Sequence, residues 1–160
     1  VAMVEQFREI FNAQMKERSK EIGLSLHEVV TLASLIEKET GIEAERPLVS
    51  AVFHNRLRAK IPLQSDPTVI YGLKSFSGSL THKDLQSRSP YNTYRIRGLP
   101  PGPICNPGLA SLRAALYPAR VPYLYFVSKN DGSHLFSMRL GEHNQAVKIY
   151  QSGKPRHPRP

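Results

Sequence analysis

The stretch from Ser25 to Gly41 constrains the fold most, because it predicts one helix with both of its ends marked. Ser25 is followed three residues later by Glu28, which is the pattern of a capping box at a helix N-terminus. Gly41 supplies the left-handed residue that commonly ends a helix. The sequence therefore predicts a helix between these two marks.

One carboxylate falls on the apolar side of this predicted helix. At about 100° per residue, Glu37 shares its side with Val30 and Ala33, whereas Glu39 lies roughly 200° further round and is predicted to be a bystander or an indirect partner. Apolar surroundings disfavour a charge, so we expect a raised pKa for Glu37, which suits a general acid near neutral pH. The alternative is a structural Glu37 that reaches water from the edge of the apolar stripe.

Composition limits the classes of protein to which this chain can belong. Its 160 residues, with 40% hydrophobic and 22% charged side chains, predict a single domain over 1–152. No apolar run approaches the length of about 18 residues that a membrane span needs. The single cysteine, Cys105, excludes an internal disulfide, and the histidine spacing matches no zinc motif. We therefore predict no metal and no other cofactor.

The formal net charge of +9 is unevenly distributed along the chain. Residues 1–45 carry five Lys/Arg and nine Asp/Glu, whereas residues 46–160 carry seventeen and four. A basic body predicts a polyanionic partner, such as nucleic acid, an acidic membrane surface or an anionic cell-wall polymer. A basic surface that is simply solvated is the alternative.

Periodicity and turn signals predict an α+β fold: a helical N-terminal half, a small antiparallel hairpin and a C-terminal helix. The hairpin turns at an Asp-Gly pair, which is a strong short-range signal. The basic, proline-rich tail 153–160 is predicted to be disordered. The predicted helices are 3–22, 47–59, 81–86, 109–117 and 141–151, and the predicted strands are 68–71, 123–127 and 133–137.

Three segments combine prolines with polar or aromatic residues: 62–72, 89–94 and 98–108. Prolines reduce the entropy that is lost when a loop becomes ordered. Many hydrogen-bonding groups on a stiffened backbone suit the wall of a sugar-binding cleft, although an ordinary polar turn has the same composition. A proline-rich interaction peptide is a further alternative for 98–108, where glycines interrupt any polyproline helix.

Eight segments of the chain, in order, resemble the catalytic domain of the endolytic murein transglycosylases of bacteria, the YceG-like family. Any one of them is a weak signal, but the ordered set is highly specific. The segments are LASLIEKET (32–40), VFHNRL (52–57), QSDPTVIYG (64–72), YNTY (91–94), GLPPGPI (98–104), NPG (106–108), YLYFV (123–127) and GSHLF (132–136).

The resemblance implies an activity and a set of site residues. The activity is cleavage of the β-1,4 bond between N-acetylmuramic acid and N-acetylglucosamine within glycan strands, leaving 1,6-anhydromuramic ends without consuming water. The resemblance assigns the acid and then the base role to Glu37. Asp66 either stabilises positive charge on the sugar or only forms a turn before Pro67, and His134 either reaches substrate or is structural. The residues expected to line the cleft are Gln64, Ser65, Asp66, Thr68, Tyr71, Asn92 and Tyr94.

The resemblance also implies a location and partners. Members of the family look like single-pass inner-membrane proteins with a LysM-like module, and this chain shows neither segment. We therefore expect an isolated catalytic domain from the periplasmic face of the inner membrane, acting on peptidoglycan and working beside peptidoglycan synthases. A non-catalytic basic module that binds glycan or nucleic acid is the alternative, although the sequence has no recognisable nucleic-acid motif.

Overall fold

The computed structural model describes residues 5–6 and 9–151, and it confirms the predicted α+β class. Each of the described helices is too short or too polar to span a lipid bilayer. The tail 153–160 lies outside the described residues. The elements are α1 (Ala13–Glu21), α2 (Leu26–Glu39), a 3₁₀ turn (Glu43–Glu45), α3 (Arg46–Ala59), α4 (Asp66–Gly72), α5 (His82–Leu85), α6 (Leu109–Leu116), β1 (Tyr125–Ser128), β2 (His134–Ser137) and α7 (Leu140–Gln151).

Helix α2 begins as predicted and ends differently. The capping box is present, because Ser25 Oγ accepts from the Glu28 backbone N–H at 3.2 Å and the Glu28 carboxylate accepts from the Ser25 N–H at 2.8 Å. The predicted left-handed stop at Gly41 is wrong. Thr40 ends the helix in an extended conformation with φ −144°, and its hydroxyl accepts from the Ile42 N–H at 3.0 Å.

The centre of α2 is buried on every side, and this helix organises the main apolar cluster. Residues 29 and 31–36 are all buried, including Thr31 and Ser34. Helices α1, α3, α4 and α6 pack around it. The Ser34 hydroxyl donates to the Thr31 carbonyl at 2.6 Å and accepts from the Ile104 N–H at 3.0 Å, so the buried polar groups have partners.

The predicted first helix is interrupted at residues 11–12. Asn12 is extended and caps α1, its side chain accepting from the Met15 N–H at 3.0 Å. Asn is a strong N-cap residue because its short side chain satisfies an otherwise unpaired backbone donor. Phe11 and Met15 are buried in the main cluster, as the predicted apolar stripe requires. Val4 and Phe7 lie outside the described residues.

The predicted strand 68–71 is wrong, because these residues belong to α4. Pro67 lies in the first turn, where the missing N–H costs no helical hydrogen bond. The Thr68 hydroxyl donates to the Ser65 carbonyl at 2.7 Å, which stabilises that first turn. Val69 packs with Leu80 and Leu85 in a second, small apolar cluster. Local capping and packing therefore override the strand preference of the β-branched residues.

The other predicted elements are confirmed with small shifts in their ends. Thr81 forms a capping box with Asp84 at the start of α5. Strands β1 and β2 pair antiparallel, with Tyr125 opposite Ser137. Between them Asn130 and Gly132 have φ of 67° and 90°, the left-handed backbone that such a turn requires. The hairpin packs on α7, and β1 also contacts α3.

Glu37 near the end of α2 caps the N-terminus of α6. Its Oε2 accepts from the Gly108 backbone N–H at 3.2 Å and from the Ser111 hydroxyl at 2.5 Å. Arg46 Nη2 lies 3.5 Å from Oε1. Backbone donors and the helix dipole both favour an anion at this position. A side chain of α2 thus supplies the cap that α6 lacks in its own sequence.

The predicted rise in the pKa of Glu37 is wrong. Burial alone raises this pKa, but the hydrogen bonds from Ser111 and Gly108 and the charge of Arg46 outweigh burial, so the pKa lies below its ordinary value. Glu37 is therefore an ionised, structurally engaged carboxylate at neutral pH.

Replacing Glu37 with Gln should lower the free energy of unfolding at pH 7 by about 1–2 kcal/mol, because two hydrogen bonds lose a charged acceptor. The folded pKa is depressed, so the contribution of Glu37 is complete above the ordinary glutamate pKa and is lost as pH falls through the folded value. Urea unfolding at a series of pH values measures it.

The matched control is Glu17→Gln, which removes an exposed carboxylate paired with Lys20 on α1 and should change stability little at any pH. The structural role of Glu37 is contradicted if the difference in free energy of unfolding between the wild type and Glu37→Gln does not become smaller as the pH is lowered.

Candidate active site

Glu39, the last residue of α2, faces a cleft formed by the segment that follows α3. The Ser65 hydroxyl donates to Glu39 Oε1 at 2.6 Å, and Ser65 itself is buried. A cavity of about 60 Å³ opens at this point. Its lining residues are Glu39, Arg56, Leu63, Gln64, Asp66, Tyr94, Tyr125, Phe126, Leu140 and His143.

Arg56 holds the two walls of this cleft together. The helix dipole favours an arginine near the C-terminal end of a helix such as α3, but Arg56 is only 6% exposed. Its Nε donates to the Leu124 carbonyl at 2.7 Å, and its Nη1 donates to the Pro62 carbonyl at 2.8 Å. The guanidinium also lies 5.1 Å from the centre of the Tyr125 ring. Arg56 therefore joins α3 to the 62–64 loop and to β1.

Gln64 lies in the loop at the mouth of the cavity and has an uncommon backbone conformation. Its φ of 53° is in the left-handed region, which is unfavourable for a residue with a side chain. The Gln64 N–H donates to the Thr93 carbonyl at 3.1 Å, and its side-chain oxygen accepts from Arg56 at 3.1 Å. Strained backbone of this kind is concentrated at functional sites. The predicted position of Gln64 in a cleft agrees with this geometry.

Asp66 and Tyr94 meet on the same side of the cavity. The Tyr94 hydroxyl donates to Asp66 Oδ1 at 2.5 Å, which joins the start of α4 to the 89–94 segment. Both side chains line the cavity with Glu39. Two carboxylates, from Glu39 and Asp66, thus share one cleft, an arrangement that the sequence did not predict.

Thr68 and Asn92 lie beneath the cleft and are fully buried. The Thr68 hydroxyl is 2.8 Å from that of Thr93, whose hydroxyl accepts in turn from the Ser65 N–H at 2.9 Å. The Asn92 amide donates to the Leu85 and Ser87 carbonyls, both at 2.9 Å. These contacts assign the two residues to the support of the cleft wall.

Tyr71 is at the far end of α4 and lines neither cavity that Glu39 lines. It is 52% exposed, and its ring packs against that of Tyr91 with a centre-to-centre distance of 4.8 Å. Of the seven residues predicted to line the cleft, the structure brings Gln64, Ser65, Asp66 and Tyr94 to Glu39. Tyr71 remains on the surface nearby.

The two glutamates at the end of α2 point to different surroundings. Glu37 contacts α6 and Arg46, whereas Glu39 contacts Ser65 and lines the cavity. The helical-wheel prediction favoured Glu37 as the acid and base and treated Glu39 as a bystander or an indirect partner. It depends on an apolar face opposite a polar face, but the centre of α2 is buried all round, so no such contrast exists.

Three further polar or aromatic residues line the cavity although they were not predicted as site residues: Arg56, Tyr125 and His143. Tyr125 and His143 stack with a centre-to-centre distance of 5.2 Å, which brings α7 to the cleft. Arg56 belongs to the VFHNRL segment, but nothing local in the sequence indicates that it is buried. Within residues 5–6 and 9–151, no group of three His, Cys, Asp or Glu side chains is placed to hold a metal ion.

Comparison with known proteins finds a matching family model, similar bacterial proteins and a similar solved structure. The model of the YceG-like family matches residues 1–149. An endolytic murein transglycosylase of Bacillus subtilis is 44% identical over 156 residues, which cover 96% of this chain and 42% of that protein. One of Streptococcus pneumoniae is 30% identical over 141 residues, covering 84% of this chain and 26% of that protein.

A crystal structure of a yceG-like protein from Listeria monocytogenes superposes with a TM-score of 0.76 at 44% identity, covering 83% of this chain and 43% of that one. This chain therefore spans less than half the length of the relatives it matches. The family model covers nearly all of it, and the chain belongs to the YceG-like family.

Proposed function

We propose that this chain cleaves the glycan strands of peptidoglycan as an endolytic transglycosylase, with Glu39 as the single acid and base. The observation that carries the proposal is the position of Glu39 in the cleft, bonded to Ser65, while Glu37 is engaged at the start of α6. The prediction from sequence gave Glu37 this role, and the contacts of the two side chains favour Glu39.

The names of the relatives support the reaction class. Proteins 44% and 30% identical to this chain are endolytic murein transglycosylases, and murein is the peptidoglycan of the bacterial wall. The aligned residues cover 96% and 84% of this chain.

The proposed chemistry needs one group that first gives and then takes a proton. Glu39 as an acid protonates the oxygen that leaves C1 of N-acetylmuramic acid, and the C1–O bond breaks. Glu39 as a carboxylate then takes the proton from the C6 hydroxyl of the same sugar, whose oxygen bonds to C1. The products are a free 4-hydroxyl on N-acetylglucosamine and a 1,6-anhydro ring, and no water is consumed.

Asp66 has a separate role in this proposal. Positive charge develops at C1 in the transition state of glycosidic cleavage, and a fixed carboxylate near that carbon stabilises it. The hydrogen bond from Tyr94 holds Asp66 in one orientation. Because two carboxylates in a cleft also suit a hydrolase, the nature of the new sugar ends is the deciding observation.

The proposal extends to location and partners. Peptidoglycan lies outside the cytoplasmic membrane, so we place the cleft at the periplasmic, outer face of that membrane, beside the synthases that extend glycan strands. The basic residues of 46–160 suit an anionic polymer of this kind.

Replacing Glu39 with Gln should reduce cleavage about 10²–10⁴-fold, the usual contribution of a general acid and base. The assay digests purified peptidoglycan and identifies new ends by mass spectrometry. The wild-type chain should produce anhydromuramic ends. Glu37→Gln is the matched control, because it makes the same chemical change two residues away and should retain activity below its own unfolding temperature.

Each other result has a definite meaning. Reducing ends in place of anhydro ends would identify a hydrolase. Binding of peptidoglycan without cleavage would favour the non-catalytic glycan-binding module. If a folded Glu37→Gln chain is inactive and Glu39→Gln is active, the acid and base is Glu37.

Replacing Ser65 with Ala should lower kcat about tenfold or more and change KM little. The Ser65 hydroxyl bonds the Glu39 carboxylate at 2.6 Å, and losing a hydrogen bond to a charged group costs about 1.5–3 kcal/mol. Steady-state kinetics on soluble glycan strands measures both constants.

Ser19→Ala is the control for this change, because Ser19 is also buried and donates at 2.8 Å, but to the Lys16 carbonyl on α1. Equal effects of the two substitutions on kcat would contradict a role for Ser65 in holding Glu39.

A further inference from the structure

The cleft continues past Glu39 into a second cavity along the hairpin. This cavity, of about 220 Å³, shares Glu39 and Asp66 with the first one. Its other walls come from the end of β1, the turn, the start of β2 and the end of α7. The lining residues are Glu39, Asp66, Phe126, Val127, Ser128, Asn130, His134 and Gln151. A polymer lying across Glu39 would therefore meet the start of β2.

His134 in this second cavity is held by Glu45 at two points. Its backbone N–H donates to Glu45 Oε1 at 3.0 Å, and its ring Nδ1 is 2.8 Å from Oε2. Both side chains are largely buried, with 10% and 13% of their surfaces exposed. The imidazole ring therefore has a fixed position and orientation.

Glu45 determines which ring nitrogen carries a proton. Burial raises the pKa of Glu45, but the hydrogen bonds from the backbone and ring of His134 outweigh burial, so this pKa lies below its ordinary value. An ionised carboxylate can only accept, so Nδ1 is the protonated nitrogen. Nε2 is on the opposite edge of the ring and has no hydrogen-bond partner among residues 5–6 and 9–151.

Glu45 also connects His134 to the segment that follows Glu39. The Thr40 hydroxyl donates to Glu45 Oε2 at 3.3 Å, the same oxygen that Nδ1 of His134 approaches. Thr40 is the residue directly after Glu39 and ends α2. The largely buried carboxylate of Glu45 thus fixes the position of the imidazole relative to the C-terminal end of α2.

We propose that Nε2 of His134 binds a sugar hydroxyl of the glycan strand in the second cavity, and that Glu45 is the positioning residue that aims it. A hydroxyl both donates and accepts, so it suits Nε2 whether or not that nitrogen carries a proton. Ser128, Asn130 and Gln151 give the same cavity further polar walls. The inference rests on the proposed function, because it takes glycan as the occupant of the cleft.

The test measures binding without turnover, using the full chain with Glu39→Gln as the parent. The probe is soluble, uncrosslinked glycan strands, and titration calorimetry gives Kd. The variant His134→Asn keeps an amide near the place of Nδ1 and so near Glu45, but it has no atom at the place of Nε2. The variant His134→Gln has an amide that reaches toward the place of Nε2, but it loses the contact that Nδ1 makes with Glu45. The control is His82→Asn, on an exposed residue of α5.

We expect His134→Asn to raise Kd about three- to tenfold, the value of one hydrogen bond, and to lower the unfolding temperature less than His134→Gln does, because the contact at Nδ1 is kept. His134→Gln should lower the unfolding temperature and weaken binding less, in measurements below that temperature. His82→Asn should change neither quantity.

Three results would overturn the inference. If His134→Asn binds as the parent does while His134→Gln binds worse, the imidazole acts only through Glu45. If the parent shows no glycan binding and the wild-type chain makes no new sugar ends, the proposed function fails and this inference fails with it. A parent that binds, with Kd unaffected by either change at position 134, overturns this inference alone.

Discussion

The buried guanidinium of Arg56 is the interaction on which the cleft depends. A charge taken out of water is costly unless its donors are satisfied, and Arg56 satisfies them with the carbonyls of Leu124 and Pro62 and the side chain of Gln64. Those acceptors lie on the two walls that face Glu39, the loop after α3 and the chain entering β1. Satisfying one buried charge therefore fixes the width of the cleft.

The end of α2 poses a second electrostatic problem, because two carboxylates lie where the helix dipole disfavours negative charge. The two carboxylates, of Glu37 and Glu39, are stabilised in different ways. Glu37 is placed at the opposite pole of another helix, the start of α6, and beside Arg46. Glu39 is turned to the cleft, with the Ser65 hydroxyl as a hydrogen-bond partner. The first solution stabilises the fold, and the second leaves a carboxylate where a ligand can reach it.

Features with a local cause could be predicted from the sequence. The capping boxes at Ser25 and Thr81 and the Asp-Gly hairpin depend on residues within a few positions of each other, and the structure contains all three. The α+β class followed from them. The prolines and polar groups of 62–72 also predict a cleft wall, and Gln64 and Asp66 line the cavity at Glu39.

Features with a distant cause could not be predicted. The choice between Glu37 and Glu39 depends on Gly108 and Ser111, more than 70 residues along the chain, and on the way the 62–65 loop folds over the end of α2. The burial of Arg56 depends on carbonyls that only the folded chain brings near. The interruption at Asn12 has a local cause, because Asn is a strong N-cap residue. The apolar period continues across it, and the period alone predicts one unbroken helix.

The hydrogen bond between Ser65 and Glu39 links the proposed chemistry to the strained loop at Gln64 and to the buried threonines Thr68 and Thr93. A hydroxyl can donate to a carboxylate and accept from a carboxylic acid by rotating one bond, so in the proposed reaction Ser65 remains a partner of Glu39 through both proton transfers. This requires that the Ser65 oxygen has a fixed position. The hydrogen bonds of Thr68 and Thr93 fix the Ser65 backbone. The left-handed Gln64 then directs the chain so that the hydroxyl meets Glu39. The proposed role of Glu39 therefore depends also on Thr68 and Thr93, which do not line the cavity themselves.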